Sequence, residues 1–366
     1  MARFGGVRSH ILGLGEALQS FGHTVEVVAP GADGRLGTLP VIGCGRARTH
    51  EFGGTQFDVA WASSRALRLV CARDYGVLHL HTPWSPAMPL QLATRFRGAR
   101  VATFHDVASE MTPAWARALM PVAGALIRRT LLHAAARCCT LRHATIAVSP
   151  AVSAHLGHGT HHVIPNGVAM PHVMSPRPTA APFSAMAPVL YVGRLEPRKD
   201  VATLLRAMAL LGAVAPPLLV AGVGPCREAL EALRDTLNLT KVRFLGEVSE
   251  HEKWSLMRES CCVVAPSRSG ESFGIVLLEA MVAGVLPIAA DNPGYRDVLA
   301  RGGESLLFPA GDAAALAARL HRVQHDATWR EPMQEWAARR WPPFQWASIA
   351  TRVLGTYRLA MARAAA

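Results

Sequence analysis

The stretch Ala265–Leu286, APSRSGESFGIVLLEAMVAGVL, decides how the chain reads. A loop rich in Ser and Gly runs to Glu271, an apolar helical pattern follows, and a second carboxylate, Glu279, stands eight residues further on. Both carboxylates are expected where a helix begins, beside first-turn N–H groups and the positive end of the helix dipole, a setting that favours anions. A carboxylate does nothing for a phosphate there, so its partners are expected to be neutral hydroxyls bound beside it. A ligand carrying both phosphate and hydroxyls has the chemistry of a nucleotide sugar.

Outward from that stretch, strands and helices alternate. Apolar runs at Pro188–Leu195, Pro216–Gly224, Val242–Val248, Cys261–Ser267, Leu286–Ala290 and Gly303–Pro309 are separated by helical patterns, among them Val201–Leu211, Arg227–Asn238, Glu250–Glu259 and Ser272–Ala283. Continuous apolar strands between helices predict an α/β fold, a doubly wound parallel sheet covered on both faces. The N-terminal part has the same alternation, with strands expected at Val25–Ala29, Val77–Thr82, Ala99–Asp106 and Thr145–Ser149. Residues 31–75 yield only short apolar runs, Leu39–Ile42 and Val59–Trp61, among Gly-rich turns. Met170–Pro188 is rich in Pro, Ser and Ala without periodicity and reads as a linker. The domains are therefore expected at 1–169, completed by a C-terminal helix at about 345–366, and at 170–344. Two Rossmann-like domains of this kind are expected to face a cleft at their strand C-termini.

At the opening, MARFGGVRSHILGLGEALQSFG, Gly5-Gly6 lead into a helical pattern at Val7, Ile11, Leu14 and Leu18. Such a turn normally follows a strand, and in a doubly wound sheet that strand is central. Only Met1–Phe4 stand ahead of it, so the first strand of the N-terminal domain is expected to be missing: either the start lies upstream or the protein lacks it.

The 366 residues are half hydrophobic and carry a formal charge of +12, with Lys199, Lys241 and Lys253 the only lysines. No apolar run reaches the roughly 18–20 residues of a membrane helix, and no signal-peptide pattern is visible. The seven cysteines form no CxxC pair and read as small buried hydrophobes in a reducing compartment. A basic balance points to acidic partners, a nucleic acid or an anionic membrane. With four Tyr and scattered basic residues, nucleic acid lacks its stacking platforms. Between Glu110 and Glu196 no acidic residue occurs, and the helical stretch Pro113–Leu141 carries Arg117, Arg128, Arg129 and Arg137. That pattern suits either a helix lying on anionic lipid or a helix packed on the sheet with its arginines in solvent.

Arg194 and Lys199 follow a strand directly, five residues apart, which suits a diphosphate; the competing reading is an ion pair with Glu196. GRLEPRKD at Gly193–Asp200 and GESFGIVLLEAMVAG at Gly270–Gly284 resemble the two signatures of the family 4 retaining glycosyltransferases of GT-B architecture, and PNGV at Pro165–Val168 resembles the family's interdomain segment. With GGVRSH at Gly5–His10 and ATFH at Ala102–His105, the chain is most similar to the bacterial phosphatidylinositol mannosyltransferases.

The resemblance implies a hexosyltransferase, with mannose favoured. The nucleotide sugar would be a co-substrate, GDP-mannose before UDP-sugar, with no cofactor and no metal. The acceptor would be a lipid or glycan, phosphatidylinositol among them, and no nucleic acid would be bound. The place implied is the cytoplasm or the inner face of its membrane. By resemblance, Arg194 and Lys199 hold the donor diphosphate, Glu271 meets sugar hydroxyls and Glu279 the ribose. Phe273, Gly274 and Ile275 offer N–H groups to phosphate, Gly6 leaves room for the donor, His105 touches the transferring sugar and Arg8 meets the acceptor's phosphate. Asp200 stands where the family usually has Gly, a departure expected to lower donor affinity or stability. The missing first strand keeps a second reading open, a catalytically impaired nucleotide-sugar-binding or membrane-associated scaffold protein.

Overall fold

In the computed structural model, residues 6–52, 55–81, 87–105, 143–156, 161–169, 184 and 186–366 are described. The expected helix Pro113–Leu141, most of the linker Met170–Pro188, and Gly5 lie outside them. The chain forms two compact units, Met1–Gly167 with Gln345–Ala366, and Val168–Phe344.

The first unit opens with helix α1 (Gly6–Ser20), then strands β1 (Val27–Ala29), β2 (Gly34–Leu36), β3 (Leu39–Gly43), β4 (Arg46–Phe52) and β5 (Thr55–Trp61). Helix α2 (Ser64–Cys71), β6 (Val77–His81), α3 (Ala87–Arg95), β7 (Ala99–Phe104), β8 (Ala144–Ala147), α4 (Pro150–Leu156) and β9 (His162–Val163) follow. β6, β7, β8 and β9 form a parallel sheet in that order. Its core joins Val101 and Ile146 of the sheet to Leu14 and Leu18 of α1 and to Ile349 and Val353 of the C-terminal helix Trp346–Ala365. On the other face α3 packs against β5 and β6.

Residues 31–75 depart from the all-parallel pattern, although β3 also pairs parallel with β1. β2 pairs antiparallel with β3, and β4 with β5. These strands carry charged and small residues in place of long apolar runs, so their sequence gives little of the signal that marks the buried parallel strands.

The second unit contains β10 (Val189–Val192), α5 (Val201–Leu211), β11 (Leu218–Ala221), α6 (Arg227–Thr236), β12 (Val242–Gly246), α7 (Glu250–Glu259) and β13 (Cys262–Ala265). Then come α8 (Ile275–Val282), β14 (Leu286–Ala290), α9 (Pro293–Leu299), β15 (Leu307–Phe308), α10 (Ala313–His325) and α11 (Ala327–Arg340). Its six strands are all parallel, in the order β12-β11-β10-β13-β14-β15. Read by first appearance in this unit, that is 3-2-1-4-5-6, the order of dinucleotide-binding sheets. Every residue of β13 and β14 is buried, as expected for strands covered on both faces.

Two expectations are corrected here. The final strand is only Leu307–Phe308, because Glu304 accepts the Arg301 and Gly302 N–H groups at 2.8 and 2.9 Å and turns Glu304–Leu306 into a 3-10 helix. Helix α8 begins at Ile275, not Ser272, so Glu279 lies within the helix and not at its start. Gly274 sets this boundary: its φ is +95°, and a Cβ on it would come within 2.6 Å of the Tyr295 ring.

Candidate active site

In the second unit the strand order reverses between β10 and β13, which are parallel neighbours. Loops at the C-terminal ends of such a pair form the ligand crevice of open α/β sheets. One loop carries Arg194, Arg198 and Lys199; the other carries Ser267–Glu271. The Arg268 N–H donates to the Arg198 carbonyl at 3.0 Å, which ties the two loops together.

The charged groups there interlock. Lys199 Nζ lies 2.5 Å from Glu271 Oε1, and Arg198 Nη1 donates to the same oxygen at 3.2 Å and to the Gly270 carbonyl at 2.9 Å. Buried Glu196 receives Arg194 Nε at 2.6 Å and Arg198 Nε at 3.0 Å. The ion pair set against the diphosphate reading of Arg194 is thus present. It fixes the guanidinium through Nε while the side chain stays 40% exposed.

Behind the charges the floor is rigid. Asn292 caps α9 by accepting the Tyr295 N–H at 3.0 Å and donates to the Ser267 carbonyl at 2.9 Å. The Tyr295 hydroxyl donates to Ser267 Oγ at 3.1 Å. Gly294 lets this helix start reach the Glu271 backbone, since a Cβ there would lie 2.2 Å from the Glu271 carbonyl oxygen. Phe273 is buried, with its ring centroid 6.0 Å from that of Phe344. Glu279 is held by Lys253 Nζ at 2.9 Å, and Lys253 also pairs with Glu250 at 2.8 Å. Burial works against the Lys253 charge, but the two carboxylates outweigh it and raise its pKa.

Asp200 explains itself. Its φ of +48° and ψ of +43° are left-handed, the conformation a glycine adopts without cost and Asp tolerates better than most residues. Its carboxylate accepts from Thr203 Oγ1 at 2.6 Å and from Arg268 Nε at 2.5 Å. The side chain therefore fastens the same loop in which it replaces the expected glycine.

In the first unit, His105 follows β7 and sits in a cluster of imidazoles. His81 Nδ1 and His105 Nε2 are 3.1 Å apart, and the His10 ring is edge-on to His105 with centroids 4.6 Å apart. His10 Nδ1 lies 2.8 Å from Asn166 Oδ1, so the ring donates there and turns Nε2 toward the cluster as an acceptor. Among the described residues that buried Nε2 has no hydrogen-bond partner. His79 meets Thr103 Oγ1 and the Tyr357 hydroxyl, each at 2.7 Å. Burial lowers all four pKa values: His10 to about 4, His79 to about 3 with help from His10, and His81 and His105 well below the usual range. The cluster is neutral at pH 7.

Nitrogens of His10, His81 and His105 lie within 4.8 Å of one another, the one grouping among the described residues with metal-ligand spacing; a cation there would compete with the His81–His105 hydrogen bond. Gly6 is the first residue of α1, and Arg8 is half-buried in its first turn, two residues before His10.

Arg194, Lys199 and Glu271 are thus brought together in the second unit, with Glu279 nearby in sequence but held by a different cation. Sequence reasoning missed His10, His79 and Asn166 as parts of one cluster. Two signals were available: the i, i+2 spacing of His79 and His81 on one strand face, and the polar Asn166 beside two apolar neighbours.

Residues 4–170 match the family model for Glycosyltransferase Family 4, and residues 186–340 that for Glycosyl transferases group 1. The chain is 32% identical to the phosphatidyl-myo-inositol mannosyltransferase of Mycolicibacterium smegmatis, across 96% of this chain and 90% of that protein. It is 33% identical to the enzyme of the same name from Mycobacterium leprae, across 96% and 92%. Among solved structures, sucrose-phosphate synthase from Thermosynechococcus elongatus matches with a TM-score of 0.76 at 25% identity, covering 98% of this chain and 94% of that one.

Proposed function

We infer the reaction from one premise: the chain belongs to the family 4 glycosyltransferases, together with the phosphatidyl-myo-inositol mannosyltransferases. It moves a hexose, mannose from GDP-mannose first among the candidates, from a nucleotide sugar to a lipid acceptor of the phosphatidylinositol type, with retention of configuration. The observation that carries this reading is the interlocked set Lys199, Arg198, Arg194, Glu196 and Glu271 at the strand-order reversal of the second unit.

The chemistry follows from that set. In the unliganded protein Lys199 is neutralised by Glu271. A donor diphosphate takes over the ammonium and the exposed part of Arg194, and charge-assisted hydrogen bonds to phosphate oxygens replace those to the carboxylate. Glu271, released, accepts from hydroxyls of the transferring sugar. As the glycosidic C–O bond breaks, negative charge grows on the departing diphosphate, where fixed cations stabilise it most. The acceptor hydroxyl attacks from the face the leaving group vacates and gives its proton to the departing phosphate oxygen on that face, which retains configuration without a covalent enzyme intermediate. His105, neutral, offers the sugar a hydrogen bond without placing a charge near a developing oxocarbenium centre. Glu279 takes the ribose hydroxyls, the N–H groups of Phe273, Gly274 and Ile275 face phosphate, and Gly6 gives the donor room. Arg8 at the start of α1 meets the acceptor phosphate, where the helix dipole adds to its charge.

Because the protein's own cations cover the diphosphate, the reaction is expected to run without a metal, and EDTA is expected to leave the rate unchanged. Among the described residues no helix is long and apolar enough to cross a membrane; a lipid acceptor would bring the enzyme to a membrane surface without one. The test is transfer of labelled sugar from GDP-mannose, then UDP-sugars, to phosphatidylinositol vesicles. Turnover with one donor supports the reading. Donor binding with no turnover on any acceptor would leave a nucleotide-sugar-binding protein instead.

A further inference from the structure

The imidazole cluster of the first unit holds more nitrogen than a sugar contact needs. His10 stands on α1, His81 is the last residue of β6, and His105 follows β7. β6 and β7 are parallel neighbours, with His81 opposite Thr103, so their C-terminal ends bring two imidazoles side by side. Helix α1 adds the third.

His10 is the informative member. It is buried, and its Nδ1 is engaged with Asn166 Oδ1 at 2.8 Å. Nε2 is therefore the nitrogen it has to offer, and that atom is buried without a hydrogen-bond partner among the described residues. A buried polar atom left unpaired costs stability, so such an atom asks for a ligand. A ring fixed through one nitrogen by a carbonyl oxygen, with the lone pair of the other aimed inward, is how metal-binding histidines are held.

The neighbours separate ligands from support. His79 spends one nitrogen on the Tyr357 hydroxyl and the other on Thr103 Oγ1, each at 2.7 Å, and so offers no ligand atom. Its ring centroid lies 4.3 Å from that of His81 and braces it. The Trp346 ring stands edge-on to His10 with centroids 5.1 Å apart and gives the group apolar cover.

We propose that His10, His81 and His105 form a binding site for a late first-row divalent cation of the zinc type, with Asn166 orienting His10. Imidazole suits zinc, copper and nickel, whereas magnesium and calcium take oxygen ligands. Zinc–nitrogen bonds of about 2.0–2.1 Å at tetrahedral angles place ligand nitrogens about 3.3–3.4 Å apart. His81 Nδ1 and His105 Nε2 are already 3.1 Å apart, and His10 closes on them from within 4.8 Å. The His81–His105 hydrogen bond gives way as the cation enters. The ring that donated it moves its proton to its other nitrogen, both lone pairs turn to the cation, and no proton is released. Three protein ligands leave the fourth position to water. His81 is only half-buried and provides the path of entry.

This cation takes no part in sugar transfer. Its effect on activity rests on the reading above, in which His105 faces the transferring sugar: a cation on His105 removes that contact. Zinc-loaded protein is therefore expected to lose transfer activity that EDTA restores, while EDTA leaves the metal-free enzyme unchanged.

The test is calorimetric titration of zinc chloride into the metal-stripped full chain. One tight equivalent is expected, and cobalt in its place is expected to give the intense visible absorption of a four-coordinate site. His10→Ala is expected to weaken zinc binding at least about a hundredfold and Asn166→Ala about tenfold, the latter within the range for outer-shell partners. Asn166→Asp, which keeps the acceptor, should bind at least as tightly as wild type. The exposed pair His321 and His325, with ring centroids 4.5 Å apart, is the competing surface site, so His325→Ala should leave the tight equivalent unchanged. Absence of a tight equivalent in the wild type overturns the proposal, as does tight binding that survives His10→Ala or is lost in His325→Ala. Metal-free melting curves check each variant, and His81→Ala with Asn166→Ala carries the comparison if His10→Ala does not fold. These readouts use neither donor nor acceptor, so zinc binding without turnover on any donor would sink the transferase reading and leave the site standing.

Discussion

The two units share one plan and differ at its centre. Val168–Phe344 has its first strand in the middle of a six-stranded sheet, with β13 and β14 buried throughout. Among the described residues, Met1–Gly167 has a cavity of about 740 Å³ lined by β1 and β6, and those strands are largely half-buried. The difference bears on how each unit holds its functional groups. In the second unit Arg194, Lys199 and Glu271 stand on loops tied by the Arg268–Arg198 backbone hydrogen bond and by Ser267, Asn292 and Tyr295. In the first unit His81 ends the edge strand β6, and His105 follows β7, one strand further in. A donor grip built on the complete sheet is expected to be preformed, whereas the groups assigned to acceptor and transferring sugar depend on a sheet with less support.

The sharpest way to break this contrast is Lys199→Ala. It is expected to lower kcat by roughly 10²–10³, the scale for losing one preorganised group at a developing oxyanion. Because Arg198 still reaches Glu271 at 3.2 Å, the melting temperature should hold. Equal losses of activity and stability would instead make Lys199 a structural residue. Next, Glu279→Ala is expected to weaken donor binding by about tenfold, the loss of one hydrogen bond to a charged group. A calorimetric Kd equal to wild type would remove Glu279 from the ribose.

Acid should separate the units. The buried imidazoles have folded pKa values of about 4 at His10 and about 3 at His79, below the unfolded 6.5. The unfolded chain then binds protons that the folded one refuses, so stability is full above about pH 6.5 and falls as pH drops toward 4. In the second unit Asp235, Glu252, Asp291 and Glu304 are lowered and Asp326 is held at about 2 by Arg322 and Thr328, so these contributions are lost only as pH falls below the usual carboxylate range. Hydrogen exchange between pH 7 and 4.5 should show the first unit opening first; simultaneous opening would contradict the assignment. The smallest effect is expected from Asp200→Gly, where relief of the left-handed conformation offsets the loss of the Thr203 and Arg268 hydrogen bonds. Stability should change by less than about 1 kcal/mol.

Much of this was legible beforehand because of how buried parallel strands are written. VLYV, LLVA, CVVA and LPIAA are unbroken apolar runs, and their alternation with helices gives the second sheet directly. Glu271 beside a glycine-rich loop, and Arg194 with Lys199 after a strand, were visible as charges at strand ends, and the structure brings Lys199 and Glu271 together from neighbouring loops. The rest was hidden for identifiable reasons. β2 and β3 are three and five residues long and antiparallel, below the length at which alternation can be recognised. Glu279 was misplaced relative to the helix start because Gly274, one residue in the left-handed region, delays α8 to Ile275. The imidazole cluster joins residues 10, 79, 81 and 105, which only the fold brings within reach.

The central claim is that the diphosphate grip belongs to the second unit alone. Calorimetric titration of GDP into the wild-type chain, Lys199→Ala and His105→Ala tests it most directly. The wild type should bind, His105→Ala should bind equally well, and Lys199→Ala should bind at least about tenfold more weakly, as expected when a charge-assisted hydrogen bond is lost. Undiminished binding by Lys199→Ala, or loss of binding by His105→Ala, would contradict the account.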